Sequence, residues 1–266
     1  MRTIHWLKTA VFALMLTGCA SMQSGPSPET RAALAPTGKL RVAIFSAPIF
    51  AIKDPATGEL KGVAVDLGKD LARRIGVPFE PVSYTALPML IAGAKAAEWD
   101  VTFIGIDAGR AAAMDFSAPF MEVEQGYLVR AGAAIATASE VNKAGIRVGV
   151  IENSAVDDHL SQTLKNATLV RTRNAAELNA LLGAGKVEVI AATRVALFAV
   201  AKGLPGSRVL DGLIPVEPIG MGVPKGRDTA AALYVGKFVE EAKAEGLVKS
   251  AIERAGLRGV VVAPLK

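Results

Sequence analysis

The sequence holds one cysteine, Cys19, and two histidines, His5 and His159, in 266 residues. One thiol rules out a disulfide framework within the chain, and a thiolate metal cluster with it. Two histidines, one of them in the opening residues, leave no His-rich metal site and no mechanism that needs a histidine pair. His159 follows two aspartates and reads as an exposed helical residue, not a metal ligand. Charge of one sign is also missing. The 30 Lys and Arg face 25 Asp and Glu, for a formal net charge of +5. They are scattered among acids, which describes a solvated surface and not a nucleic-acid face. The chain has no Gly-x-Ser-x-Gly, no nucleophile–histidine arrangement and no glycine-rich phosphate loop. Hydrolase and nucleotide chemistry thus lack their usual carriers, and neither cofactor nor metal is expected.

Apolar side chains are plentiful. They make up 51% of the chain, enough for a sizeable core, and the length fits one large domain or two modest ones. The first eighteen residues stand apart. Arg2 and Lys8 give a basic start, Ala10 to Leu16 a short apolar stretch, and Leu16-Thr17-Gly18-Cys19 a close of small residues. The stretch is too short to span a bilayer, so it reads as a secretory signal. Its last four residues resemble the bacterial lipobox. That resemblance implies a lipid on the Cys19 sulfur, cleavage before it, and a periplasmic or cell-envelope location on a bacterial membrane. Ala20, which is not an aspartate, resembles sorting toward an outer membrane. Residues 19–38, rich in Ser, Pro and Thr, are expected to be a flexible tether.

From residue 39 onward, strand and helix patterns alternate. Leu40 to Phe45 is a β-rich run. Val65 to Ile75 is an amphipathic helix stopped by Gly76. Val77–Ser83 and Val101–Ile104 are further strands, with a helix from Leu87 to Ala97 between them. The pattern restarts with a strand at Ile146–Ile151, a helix capped by Ser154, a strand at Ala167–Arg171, a helix opened by Asn174 with Glu177, and a strand at Val187–Ala192. A last strand near Ile219–Val223 precedes two helices. Such alternation predicts an α/β fold with parallel-rich sheets covered by helices. Two runs predict two lobes. Ligands of such sheets bind at the carboxyl ends of the strands, so the natural site is the cleft between lobes.

The order and wording together resemble the family 3 extracellular solute-binding proteins, the amino-acid receptors of ABC importers. The likeness covers nearly all of residues 39–257. It rests on Leu40-Arg41-Val42, on Gly58 to Gly62 with Val65-Asp66-Leu67, on Glu98-Trp99-Asp100-Val101, and most specifically on Arg110 to Phe120, Arg-Ala-Ala-Ala-Met-Asp-Phe-Ser-Ala-Pro-Phe. Arg147 to Val150 and Leu182 to Glu188 extend it. The resemblance implies a two-lobed, type II-like periplasmic-binding fold with a two-strand hinge. Lobe one would be residues 39–129 plus 214–266, and lobe two residues 130–213. It also implies a substrate-binding lipoprotein that captures a small carboxylate-bearing solute, works with ABC permease subunits, and is monomeric.

Site residues follow from the same likeness. Arg110 takes the place of the arginine that clamps the ligand carboxylate, which paired guanidinium donors suit. Tyr84 takes the place of an aromatic that stacks on the ligand. Ser154 and Ala155 open a helix whose N–H groups favour an anion, behind Asn153, where the family has glycine. Backbone carbonyls of the Gly105 region and Asp107 stand where serine and threonine ligands are usual. Phe50 is a substitute for an absent aromatic near Ala47. The position of the family's ammonium-binding aspartate is Thr193, followed by Arg194, and a hydroxyl cannot balance a buried ammonium. Glu122 and Glu124, near the hinge, are read as surface residues or as a replacement charge, and Arg194 as favouring a second negative charge on the solute. Two other functions stay open: a non-transport sensor or envelope lipoprotein with this fold, and a dehydratase-like enzyme acting on a cyclic acid.

Overall fold

The computed structural model describes residues 25–152, 154–212 and 214–266. The leader, Cys19 and Asn153 therefore lie outside the described residues. The expected tether is corrected at its far end, where α1 (Pro28–Leu34) forms. Ser27 caps this helix by accepting from the Thr30 amide, and Pro28 opens its first turn. Leu34 and Ala35 are buried in the main core. A capped polar turn followed by one apolar contact is enough to dock the segment, and the polar composition conceals it.

β1 (Leu40–Phe45) leads to a hairpin of β2 (Ile52–Lys53) and β3 (Leu60–Lys61). α2 (Val63–Ile75) follows and ends at Gly76, which is left-handed at φ 71°. Its stripe of Val63, Leu67, Leu71 and Ile75 is buried, and each such side chain contributes about 1.5–3 kcal/mol. Then come β4 (Phe79–Tyr84), α3 (Leu87–Lys95), β5 (Val101–Gly105), α4 (Ala108–Ala111), β6 (Met114–Phe116) and β7 (Met121–Val129). β1 pairs in parallel with β4 and β5. The second run is β8 (Arg147–Ile151), α5 (Ala155–Thr163), β9 (Thr168–Thr172), α6 (Ala175–Gly183), β10 (Val189–Thr193) and α7 (Arg194–Gly203). β8 lies parallel to both β9 and β10. β11 (Arg208–Val209), β12 (Ile214–Pro224), α8 (Thr229–Ala244), α9 (Leu247–Arg254) and β13 (Val260–Val262) complete the order.

The two parallel sets are joined through the hinge. β7 runs nine residues and β12 eleven; β7 pairs with β10 and β11 of one half and with β13 of the other. β12 is antiparallel to β5 and β7, and β7 is antiparallel to β10. The sheets expected separately are thus hydrogen-bonded into one mixed sheet of eleven strands. The register of β12 against β7 shifts between Ile214 and Glu217. Such an irregularity bends a strand and re-aims its side chains.

The two largest cores divide at the same strands. One gathers Leu40, Val42, Leu67, Phe103, Met221 and Phe238. Its Phe103 and Phe120 rings meet edge to face at 5.7 Å. The other gathers Val129, Val148, Val150, Leu160, Val189 and Ile214. No helix among the described residues is long and apolar enough to cross a membrane.

Candidate functional site

The strand ends of β5, β8 and β10 meet at a cleft of about 740 Å³ between the two halves. One wall is the turn from Ile106 to Arg110. The other is the start of α5 with the β10–α7 junction, including Thr193 and Ala196. Gln125 of β7 and Pro215 to Pro218 of β12 close the cleft at the hinge.

Arg110 is held before any solute arrives. Its Nη1 donates to the Gly105 carbonyl at 2.7 Å, and its Nε lies 2.9 Å from Asp107 Oδ2. Asp107 also caps α4, accepting from the Arg110 backbone N–H at 2.8 Å. One carboxylate thus fixes the turn and the guanidinium together, and among the described residues Nη2 has no hydrogen-bond partner. Gly105 does more than lend a carbonyl. A methyl group built on it would lie 2.5 Å from Glu217 Oε1 and 2.7 Å from Arg110 Nη1. The two charged groups therefore flank one point above a bare Cα.

Ser154 and Ala155 line the opposite wall. The Ser154 hydroxyl caps α5, accepting from the Asp157 amide at 3.1 Å. The Ala155 and Val156 amides, in the first turn of α5, have no carbonyl partner within the helix. Thr193 caps α7 through the Ala196 amide. Two helix N-termini thus border the cleft, both favouring negative charge. His159 also lines it and is half-buried, not exposed on a free helix face as its sequence context suggests.

Several expected ligands are elsewhere. Tyr84 is buried among Leu90, Ala94 and Trp99, and its hydroxyl donates to Glu98 at 2.6 Å. Burial and then that bond push its pKa up to about 12. It is a core residue, because the last side chain of β4 turns under α3. Phe50 is likewise in the main core, 5% exposed, and is not part of the cleft lining. Arg194 points away from the cleft. Its Nη1 donates to the Leu210 carbonyl at 2.9 Å, its Nε lies 3.3 Å from Glu124, and its guanidinium stacks on Phe198. Glu124 is engaged by that pair, and Glu122 does not line the cleft.

Sequence reasoning passed over Glu217. This half-buried side chain lines the cleft. Burial holds its carboxyl above the usual range, Arg110 opposes the shift, and Asp107 adds to it. The signal was present: a single acid between Pro215 and Pro218 in an otherwise apolar strand.

Residues 40–255 match the profile of the bacterial extracellular solute-binding proteins, family 3. The chain belongs to that family. A glutamine-binding protein of Geobacillus stearothermophilus is 28% identical over 246 residues, covering 83% of this chain and 92% of its relative. An ABC transporter glutamine-binding protein of Bacillus subtilis is 26% identical over 204 residues, covering 74% and 73%. Among solved structures, an ancestral cationic amino-acid solute-binding protein shares 25% identity and superposes with a TM-score of 0.67, covering 85% of this chain and 98% of that one. The two-lobed architecture of this family 3 protein is thus shared with a structure solved independently.

Proposed function

We propose that this family 3 protein is the solute-binding lipoprotein of an ABC importer and captures a small carboxylate-bearing solute. One observation carries the reading. Arg110, fixed by Gly105 and Asp107, faces the first turn of α5 across the cleft. A carboxylate gripped from both sides bridges residues 39–129 plus 214–266 with residues 130–213. It therefore binds the closed arrangement better and shifts the population toward it. The importer's membrane subunits would recognise that closed form, and a monomer suffices to present both lobes. The names of the two bacterial relatives support an amino acid as the solute and an ABC importer as the partner. The run Leu16 to Cys19 supports a lipid anchor in the envelope.

The test uses the soluble chain beginning at Ala20, unfolded and refolded to remove carried-over solute. Its melting temperature is recorded against amino acids, keto acids, dicarboxylic acids and aromatic acids. A solute at about 100 times its Kd adds roughly 2.7 kcal/mol of stability. Arg110→Ala is expected to lose about 100-fold in affinity, as charged hydrogen bonds are removed. No response to any class overturns the receptor reading, and unchanged affinity in Arg110→Ala overturns the clamp. Cys19→Ser is expected to leave the membrane fraction. Retention there overturns the anchor.

A further inference from the structure

Glu217 has a place in the cleft, and among the described residues Arg110 acts on it only through space. Its carboxylate makes no hydrogen bond or ion pair with the described residues. A half-buried carboxylate in that condition is costly to the ligand-free protein. Its position is also particular. It follows the register shift in β12, where the hinge strand is bent, and it sits beside Arg110 over the bare Cα of Gly105. The other carboxylates at the cleft are differently placed. Asp107 is taken by the Arg110 side chain and backbone. Asp158 is exposed on α5. Glu217 alone among these is both sheltered and unclaimed.

We infer that Glu217 receives the α-ammonium of the solute from the hinge strand, doing what Thr193 cannot do from lobe two. The inference rests on the receptor reading above. Arg110 Nη1 and Glu217 Oε1 lie within 2.7 and 2.5 Å of one point over Gly105, so the anion and cation these side chains would bind lie close together on the solute, as they do on a single α-carbon. An α-amino acid has that arrangement. A keto acid does not, and it would leave Glu217 shut away from water against an oxygen that can only accept. The hinge strand would then select against deaminated acids as well as for amino acids. Closure would also draw directly on β12, because the strand that bends carries one of the ligand groups.

The experiment is calorimetric titration of the refolded parent and Glu217→Gln with three matched pairs. These are L-glutamine with glutaramic acid, L-arginine with 5-guanidinopentanoic acid, and L-lysine with 6-aminohexanoic acid. The second member of each pair lacks only the α-ammonium. Whichever amino acid binds the parent should bind Glu217→Gln roughly 100-fold more weakly, the loss expected when one partner of a sheltered charge pair is neutralised. Its deaminated partner should bind the parent poorly and the variant no worse. Equal weakening of both members overturns the proposal, because it shows Glu217 acting only by positioning Arg110. A loss for arginine and lysine while glutamine binds parent and variant alike overturns it too, by placing a side-chain cation at Glu217. A parent that binds both members equally overturns the inference and leaves the receptor reading standing. A parent that binds no carboxylate at all, in these pairs or the wider panel, overturns both.

Discussion

Asp100 and Arg227 are 127 positions apart in the chain and meet at 2.7 Å. Arg41 reaches the same carboxylate from β1, through its backbone N–H at 2.9 Å and its Nη2 at 2.8 Å. Asp100 is 1% exposed, so this is a sheltered charge with two cationic partners. It ties the start of β5 to β1 and to the turn that opens α8.

Removing that carboxylate strands two arginines that are themselves mostly covered. Asp100→Ala is expected to cost about 3–5 kcal/mol, the usual loss when one partner of a buried pair is deleted. Urea unfolding measures it. A loss under about 1 kcal/mol would show that the arginines find water or other partners.

Tyr84 separates a packing role from a binding role. Tyr84→Phe removes one hydroxyl and its bond to Glu98. It is expected to lower stability by about 1–2 kcal/mol and to leave solute affinity unchanged. A drop in affinity without a drop in stability would return Tyr84 to the cleft.

Gly105→Ala probes the close approach of Arg110 and Glu217. The new methyl would meet the tips of two flexible side chains, not backbone. The fold should therefore hold within about 1 kcal/mol. Affinity should fall at least as far as in Glu217→Gln, because both charged groups are displaced. Titration and a melting curve on the same preparation check both halves.

Glu217 should also leave a mark on stability without ligand. Burial raises its carboxyl above the ordinary value, with Arg110 and Asp107 beside it and Asp158 and His159 along the same cleft. Between the ordinary and raised values the folded state holds more protons than the unfolded one. Stability therefore falls as pH rises through that window. Glu217→Gln lacks this loss. At neutral pH the variant should be more stable than its parent by up to about 1 kcal/mol, and the gain should disappear as pH falls below the carboxylate range. Melting curves over pH test the sign. A variant less stable at neutral pH would show that the carboxylate has a partner in the folded protein.

Much of this was legible in the sequence. Leu40–Phe45 is a strand residue for residue, and Gly76 ends α2. Those elements are set by local periodicity and by a residue that tolerates the left-handed turn. Arg110, Ser154, Ala155 and Thr193 reach one cleft because each lies at or just beyond the end of a strand. What was hidden depends on tertiary direction. Strand alternation does not say that Tyr84 tucks under α3. The orientation of Arg194 is set by Phe198 one turn on and by the distant Leu210 carbonyl. The Asn174–Glu177 box forms only by half: Asn174 accepts from the Glu177 amide, while the Glu177 carboxylate takes the Arg173 amide.

The division of the cores at the hinge has a consequence for how the chain matures. The second core is drawn from an unbroken stretch, Tyr127 to Ile214. The main core needs Leu40 and Val42 from early in the chain and Phe238, Val248 and Val260 from its far end. A polypeptide delivered N-terminus first can consolidate the second core while the main one waits. Until β12 and α8 arrive, β5 has one open edge and the core around Val101 and Phe103 lacks Met221 and Phe238. Open edges and bare apolar faces are where chains stick to one another. That interval is when a holding chaperone would matter most, and shortening the chain from its C-terminus would leave the main core permanently in it.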